Sequence, residues 1–482
     1  MSNEQSDRGA RGGERFFNRE RELAFLRQIH GREGAQLVAI YGRRRIGKTS
    51  LLLHWIESEP GVRGVYFVAH RTTSSALLAK FSQALQPMLG TADPAFSFSS
   101  WEAALRELAR LARTDPLVLV LDELPYLLES EPAFATILQA TWDGPLRRSK
   151  VRLLLAGSHY HMMADTLASP KGPLFGRTTA DLMLDEIGLR EMSLFLPDYS
   201  PEQLVETYSV IGGVPRYLEA WSDRRPVLAN IRDSILSPVS IFRDESAFLI
   251  QDEIAEPRTY LAILEAIGGG MKRPVDIAKL AGVQLAHVGK YLHTLEQLRF
   301  VRRIVSVETP SPSTARTSQY EIRDPYLRFH FTFVLPNLRL LEQGRLDRLL
   351  AVIREGFEAY VGKTGYEEIC RRHVAALSDR GDLPFEALDV GRVWDRRVEI
   401  DVVAVDRKAQ TALLGECRFR RAKVGVEVLD DLVSRSKALQ KLAGYKLHYI
   451  LFSRAGFTAA LLERAKRERV RLVEGVPGAA GG

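Results

Sequence analysis

The stretch Gly42-Arg43-Arg44-Arg45-Ile46-Gly47-Lys48-Thr49 constrains this chain more than any other. An apolar run, Leu37–Tyr41, leads into it, and a helical pattern, Ser50–Glu57, follows. The pattern G-x-x-x-x-G-K-[ST] between a strand and a helix is the signature of a phosphate-binding loop. Glycines 42 and 47 permit turns closed to other residues and bring backbone N–H groups against phosphate. The helix start adds the positive end of its dipole. Lys48 is expected to reach the β- and γ-phosphates of ATP and Thr49 to ligate Mg²⁺. Arg43, Arg44, Arg45, Ile46 and Ser50 complete the expected cradle.

A second run, Leu117-Val118-Leu119-Val120-Leu121-Asp122-Glu123, ends an apolar strand in two carboxylates. Beside a phosphate loop, Asp122 is expected to hold Mg²⁺, through water or via Thr49, and Glu123 to polarise the attacking water. A third buried strand, Val151–Gly157, ends in Ser158 and His159. Ser158 is the candidate sensor of the γ-phosphate, and His159 reads equally as a capping residue. Strands at Leu37–Tyr41, Val65–Ala69, Val118–Asp122 and Val151–Gly157 alternate with helical stretches at Ser74–Leu89, Trp101–Ala112 and Ala133–Trp142. That alternation predicts a parallel α/β sheet.

At 482 residues the chain exceeds what one core normally supports. The expected division is a lead at 1–15, a phosphate-loop α/β core at 16–196, a helical segment at 197–256, a basic segment of short helices and a hairpin at 257–345, a second α/β domain at 346–476 and a tail at 477–482. Apolar runs are far below the ~20 residues that span a bilayer. Met1–Glu14 is polar and Gly/Arg-rich, without the apolar stretch of a secretory signal. Cys370 and Cys417, the only two cysteines, cannot build a disulfide framework or a zinc site. These features point to the cytoplasm and away from a membrane.

Four stretches carry a family resemblance. Phe17-Asn18-Arg19-Glu20-Arg21-Glu22-Leu23, Gly42–Thr49 with Leu121–Leu127, Pro173-Leu174-Phe175-Gly176-Arg177, and Ile211-Gly212-Gly213-Val214-Pro215-Arg216-Tyr217-Leu218 together resemble the archaeal-type P-loop ATPases, relatives of AAA+ and STAND ATPases. The resemblance implies an N-terminal box that packs near adenine, Walker A and B segments, and a lid motif. It also implies an arginine near the nucleotide. Arg177 matches it and would stabilise charge on the γ-phosphate; a plain surface arginine is the alternative. Arg216 is open in the same way, and Gly212-Gly213 is expected to mark a tight helix junction.

Net charge is +7, and its distribution says more than its sum. Between Arg258 and Val305 eight Lys/Arg face three carboxylates, Glu265, Asp276 and Glu296. A local excess of this kind is the footprint of a polyanion partner. Thr259–Ile267, Arg273–Ala281 and Leu285–Leu298 read as three helices, Phe300–Ile304 as the first strand of a wing, and Pro310–Thr317 as its tip. That is a winged helix-turn-helix pattern. Lys290, Arg302, Arg303 and Arg316 are the expected contacts to phosphates of duplex DNA. Winged helices also dock proteins, so a partner protein stays the alternative, and homo-oligomers are open. The aromatic stripe of Tyr320–Phe329 reads as core.

Further on, Glu367 lies on a helical stretch, Asp401 on an apolar strand, and Glu416-Cys417-Arg418 at the end of another. This spacing resembles the PD-(D/E)XK nuclease fold. The resemblance implies a metal shared by Asp401 and Glu416 and oriented by Glu367. Arg418 departs from it, standing where the family has lysine, and arginine does not shuttle protons. Cleavage by the metal alone or with help from Lys423, and a structural or DNA-holding role without cleavage, both remain. The chain therefore reads as an ATP- and Mg²⁺-using ATPase coupled to a DNA-binding arm and a nuclease-like domain. The other reading is a nucleotide-dependent regulatory switch with slow turnover and no cleavage.

Overall fold

The computed structural model describes residues 19–90, 93, 95–309, 318–394 and 398–478. Phe17 and Asn18, the expected lead, and the wing tip with Arg316 lie outside the described residues. The chain divides into two compact units between Asp185 and Glu186.

In the first unit five strands form one sheet: β1 (Gln36–Tyr41), β2 (Gly64–Val68), β3 (Leu117–Asp122), β4 (Val151–Gly157) and β5 (Ala180–Met183). Their order is β2-β3-β4-β1-β5, and every pairing is parallel. Strands β1, β3 and β4 are buried at every position, as a sheet covered on both faces by helices requires. On the edge strand β2 burial alternates, with Val65 and Phe67 inward. The helices over that face start where sequence chemistry provides caps. Thr73 accepts the amide of Ala76, and Ser100 that of Ala103. They bury Phe81, Leu105 and Leu108, and the uncapped helix Phe134–Asp143 adds Phe134 and Leu138, in one core with β2, β3 and β4.

The second unit begins with helices and turns tightly at Gly212-Gly213. A side chain at 213 would meet the Ile187 carbonyl oxygen at 1.9 Å, because the two segments exchange a backbone hydrogen bond there. Three helices follow, Arg258–Gly268, Pro274–Leu280 and Leu285–Gln297. They share a core of Ile263, Leu264, Ile277, Val288, Leu292 and Leu295. Next comes a two-stranded antiparallel hairpin of β6 (Val301–Ile304) and β7 (Gln319–Ile322). The last sheet contains β8 (Asp389–Trp394), β9 (Glu399–Asp406), β10 (Thr411–Arg418), β11 (Lys446–Ser453) and β12 (Arg471–Glu474). It is mixed: β8, β9 and β10 run antiparallel, whereas β11 and β12 run parallel to β10. No described helix is long and apolar enough to cross a membrane.

A partly buried ionic network holds the hairpin within this unit. Arg302 on β6 pairs with Glu321 on β7 at 3.3 Å and with Glu368, on the helix Glu367–Asp379, at 3.1 Å. Arg392 on β8 also binds Glu321, and Arg372 binds Glu368 and the hydroxyl of Tyr208. Burial alone would raise both carboxyls. Arg392 and Arg302 overcome it at Glu321, Arg302 and Arg372 at Glu368, and each is held down from the ordinary 4.5 to about 2. A depressed carboxyl contributes stability that is fully present above its unfolded value and is lost as pH falls through the folded one. The second unit is therefore expected to lose a few kcal/mol between pH 4.5 and about 2 from this pair. Melting followed by circular dichroism over that range checks it. The double variant Glu321→Gln/Glu368→Gln should start less stable and depend less on pH; equal slopes would reject the assignment.

Candidate functional site

The carboxyl ends of β1, β3 and β4 converge, and the sequence places its polar residues there. At Gly42 a Cβ would press on Ile46 Cγ2 at 3.0 Å and Leu184 Cβ at 3.2 Å, so glycine is needed where the loop turns back on itself. Arg45 (φ 66°) and Gly47 (φ 91°) take left-handed backbone, and the helix Lys48–Ser58 starts immediately after. Its first amides face the loop. Lys48 is buried and lies along the loop, its Nζ donating to the carbonyls of Gly42 at 2.6 Å and Arg43 at 3.2 Å.

Thr49 Oγ1 donates to Asp122 Oδ2 at 2.9 Å, and the Glu123 amide donates to Asp122 Oδ1 at 2.9 Å. Glu123 itself takes left-handed backbone, φ 52°, which turns its carboxylate away from the strand. That carboxylate accepts the Ser158 hydroxyl at 3.0 Å and the Ser158 amide at 3.4 Å. The loop, Asp122, Glu123 and Ser158 are thus joined at one edge of the sheet. His159 is buried and packs edge-on against Tyr126. A hydroxyl and a carboxylate so close together are hard oxygen donors of the kind Mg²⁺ accepts. Thr49 and Asp122 therefore fit the metal that accompanies a triphosphate.

Two participants were not assigned these contacts from sequence. Arg19, in left-handed backbone, reaches from the start of the described chain to the Ile46 carbonyl at 2.9 Å and the Asp185 carbonyl at 2.9 Å. It braces the loop from outside. Tyr66 on β2 donates its hydroxyl to Asp122 Oδ2. No local signal marks Tyr66, because the contact depends on strand pairing. Arg177 makes a two-pronged ion pair with Asp143, Nε to Oδ1 at 2.9 Å and Nη2 to Oδ2 at 2.7 Å. Its known partners thus lie apart from the loop residues.

The candidates of the second unit fare differently. Lys290 is exposed on the helix Leu285–Gln297, and Arg303 is half-buried on β6. Arg302, expected to meet a phosphate, is instead committed to Glu321 and Glu368.

Asp401 acts electrostatically on both Glu367 and Glu416. Burial, then Asp401, push Glu367 up to about 8, and burial, then Asp401, raise Glu416. Asp401 is raised by burial, while the Cys417 amide, donating to its Oδ2 at 3.0 Å, counters. Glu416 is gripped by Arg418 and by Arg435, the latter at 2.7 Å. Among the described residues no three His, Cys, Asp or Glu side chains form a group that could hold a metal ion. The shared metal expected on Glu367, Asp401 and Glu416 thus meets carboxylates already taken by arginines and an amide. Lys423 is exposed.

A parallel sheet whose first strand runs through a phosphate loop into a helix, with the carboxyl ends of its neighbours carrying Asp122 and Glu123, defines a P-loop ATPase fold. A family model agrees. Residues 16–221 match the family model of an ATPase domain predominantly from Archaea, so the chain carries an archaeal-type ATPase domain. Residues 330–428 match a family of archaeal and bacterial proteins of unknown function. An uncharacterized protein of Methanocaldococcus jannaschii is 29% identical over 440 residues, covering 90% of this chain and 95% of its own. An uncharacterized ATP-binding protein of the same organism is 40% identical over 52 residues, 11% of this chain and 88% of its own. Among solved structures, the Walker-type ATPase of Pyrococcus abyssi is 18% identical with a TM-score of 0.47, covering 66% of this chain and 96% of that one.

Proposed function

We propose that this protein binds ATP with Mg²⁺ through Gly42–Ser50 and hydrolyses it, and that the second unit uses the nucleotide state to act on duplex DNA. The observation that carries the hydrolytic part is the continuous chain of hydrogen bonds from Thr49 through Asp122 to Glu123 and Ser158. Beside this chain Lys48 neutralises the β- and γ-phosphates. Thr49 and Asp122 would hold Mg²⁺, which when bound would supply screening of the phosphate charge. Glu123 orients and deprotonates the attacking water, and Ser158 reports the γ-phosphate to Glu123. Arg177 is proposed to stabilise charge on the γ-phosphate after exchanging its Asp143 partner.

The DNA part rests on the excess of cationic residues between Arg258 and Val305 and on three helices followed by a hairpin, the order of a winged helix. Lys290 and Arg303 are its proposed phosphate contacts. The C-terminal mixed sheet is proposed to be nuclease-like. The grip of Arg418 and Arg435 on Glu416 favours a second reading, a nucleotide-dependent switch that does not cut.

ATP turnover measured with and without duplex DNA at two salt concentrations tests the coupling. Stimulation that fades as salt rises is expected, since phosphate contacts release counterions. The double variant Lys290→Ala/Arg303→Ala should weaken DNA binding uniformly across sequences. Turnover indifferent to DNA at low salt would move the second unit to protein docking. Nicking of a plasmid that disappears in Asp401→Ala would reject the non-cutting reading.

A further inference from the structure

Strand β2 carries a tyrosine where its neighbours are aliphatic or phenylalanine. Alternation turns Val65 and Phe67 into the core, while Tyr66 is half-buried on the other face. The register pairs Tyr66 with Val120 and Val68 with Asp122. Asp122 is therefore the diagonal neighbour of Tyr66 on the adjacent strand, a distance that aromatic side chains span.

The Asp122 carboxylate is almost fully buried and receives three donors. Its Oδ1 accepts the Glu123 amide at 2.9 Å, and its Oδ2 accepts both Thr49 Oγ1 at 2.9 Å and the Tyr66 hydroxyl. The amide alone fixes one oxygen but leaves the carboxylate free to tilt about it. Tyr66 fixes the second oxygen from a rigid strand, and so sets where the proton of Thr49 points. A threonine hydroxyl whose proton is aimed at a carboxylate presents its lone pairs in the opposite direction, where a cation can take one.

We propose that Tyr66 is a positioning residue for metal-assisted nucleotide binding, acting through Asp122 on Thr49. The inference rests on the ATP·Mg²⁺ reading of this site and deepens it. Mg²⁺ tolerates little departure from octahedral geometry, and partners that orient the ligands of a metal typically change affinity 10- to 100-fold. Tyr66 is accordingly a determinant of how much the metal adds to nucleotide affinity, and not of the affinity for nucleotide alone.

The experiment uses the full chain and the variant Tyr66→Phe, which keeps the ring and removes only the hydroxyl. Affinity for a fluorescent N-methylanthraniloyl ATP is titrated in EDTA and again in millimolar Mg²⁺. In EDTA the variant should match wild type within about twofold, while the gain on adding Mg²⁺ should shrink by about 10- to 100-fold. Manganese binding in the presence of ATP, followed by electron paramagnetic resonance, should weaken in parallel. In a Thr49→Ala background Tyr66→Phe should add little, because contacting residues are not additive. An unchanged Mg²⁺ gain, an equal loss in EDTA and Mg²⁺, or full additivity with Thr49→Ala would each overturn the role of Tyr66. Wild-type protein that fails to bind the nucleotide under either condition would overturn the ATP reading itself.

Discussion

Substituting Lys48 by alanine is expected to lower ATP turnover by about 10²- to 10³-fold, the usual cost of removing one preorganised charge partner from a reaction centre. The side chain is buried within its own loop and donates to the carbonyls of Gly42 and Arg43. Its ammonium is thus held over the concave side of the turn before any phosphate arrives. Alanine leaves the backbone amides and the helix dipole in place, so residual nucleotide binding should survive in weakened form. Turnover by phosphate release, with circular dichroism to confirm the fold, decides the matter. Wild-type rates from Lys48→Ala would remove phosphate binding by this loop from the account.

The second large effect falls on the chemical step alone. Glu123→Gln should reduce hydrolysis by about 10²- to 10⁴-fold, the range spanned by positioned general bases, while ATP affinity stays near wild type. The amide can still take the hydroxyl of Ser158 through its oxygen, so the geometry around 3.0 Å is largely kept and the basic carboxylate is what disappears. Single-turnover hydrolysis measured beside equilibrium binding separates the two quantities. If affinity collapses along with rate, Glu123 belongs to binding and another group must activate water.

What could be read from the chain beforehand followed from how local each signal is. Strands β1, β3 and β4 are mostly apolar runs buried on both faces, and two of them end in motif residues, so their place and their chemistry were both legible. Strand β5, Ala180-Asp181-Leu182-Met183, was not. It is short, carries a charge and sits at an edge, where only pairing with β1 makes it a strand. The same holds for β8 and β12, whose burial is mixed. The local charge count that picked out the segment around Arg302 sees neighbours in sequence. It cannot see Glu368, brought in by the fold from far along the chain. Tyr66 escaped for the same reason, since its meaning depends on which residue the adjacent strand places diagonally opposite. Lys290, by contrast, was legible as exposed because helical periodicity alone put it opposite Val288 and Leu292.

The pairing of Arg302 with both Glu321 and Glu368 also bears on how such a chain can change over time. A buried charge deprived of its counterpart costs far more than the pair is worth. The hairpin and the terminal sheet therefore form a joint inheritance. A lineage that discarded the sheet together with the helix before it would leave Glu321 without Arg392 and Arg302 without Glu368 on the hairpin. It could do so only by replacing those residues with neutral ones at the same time.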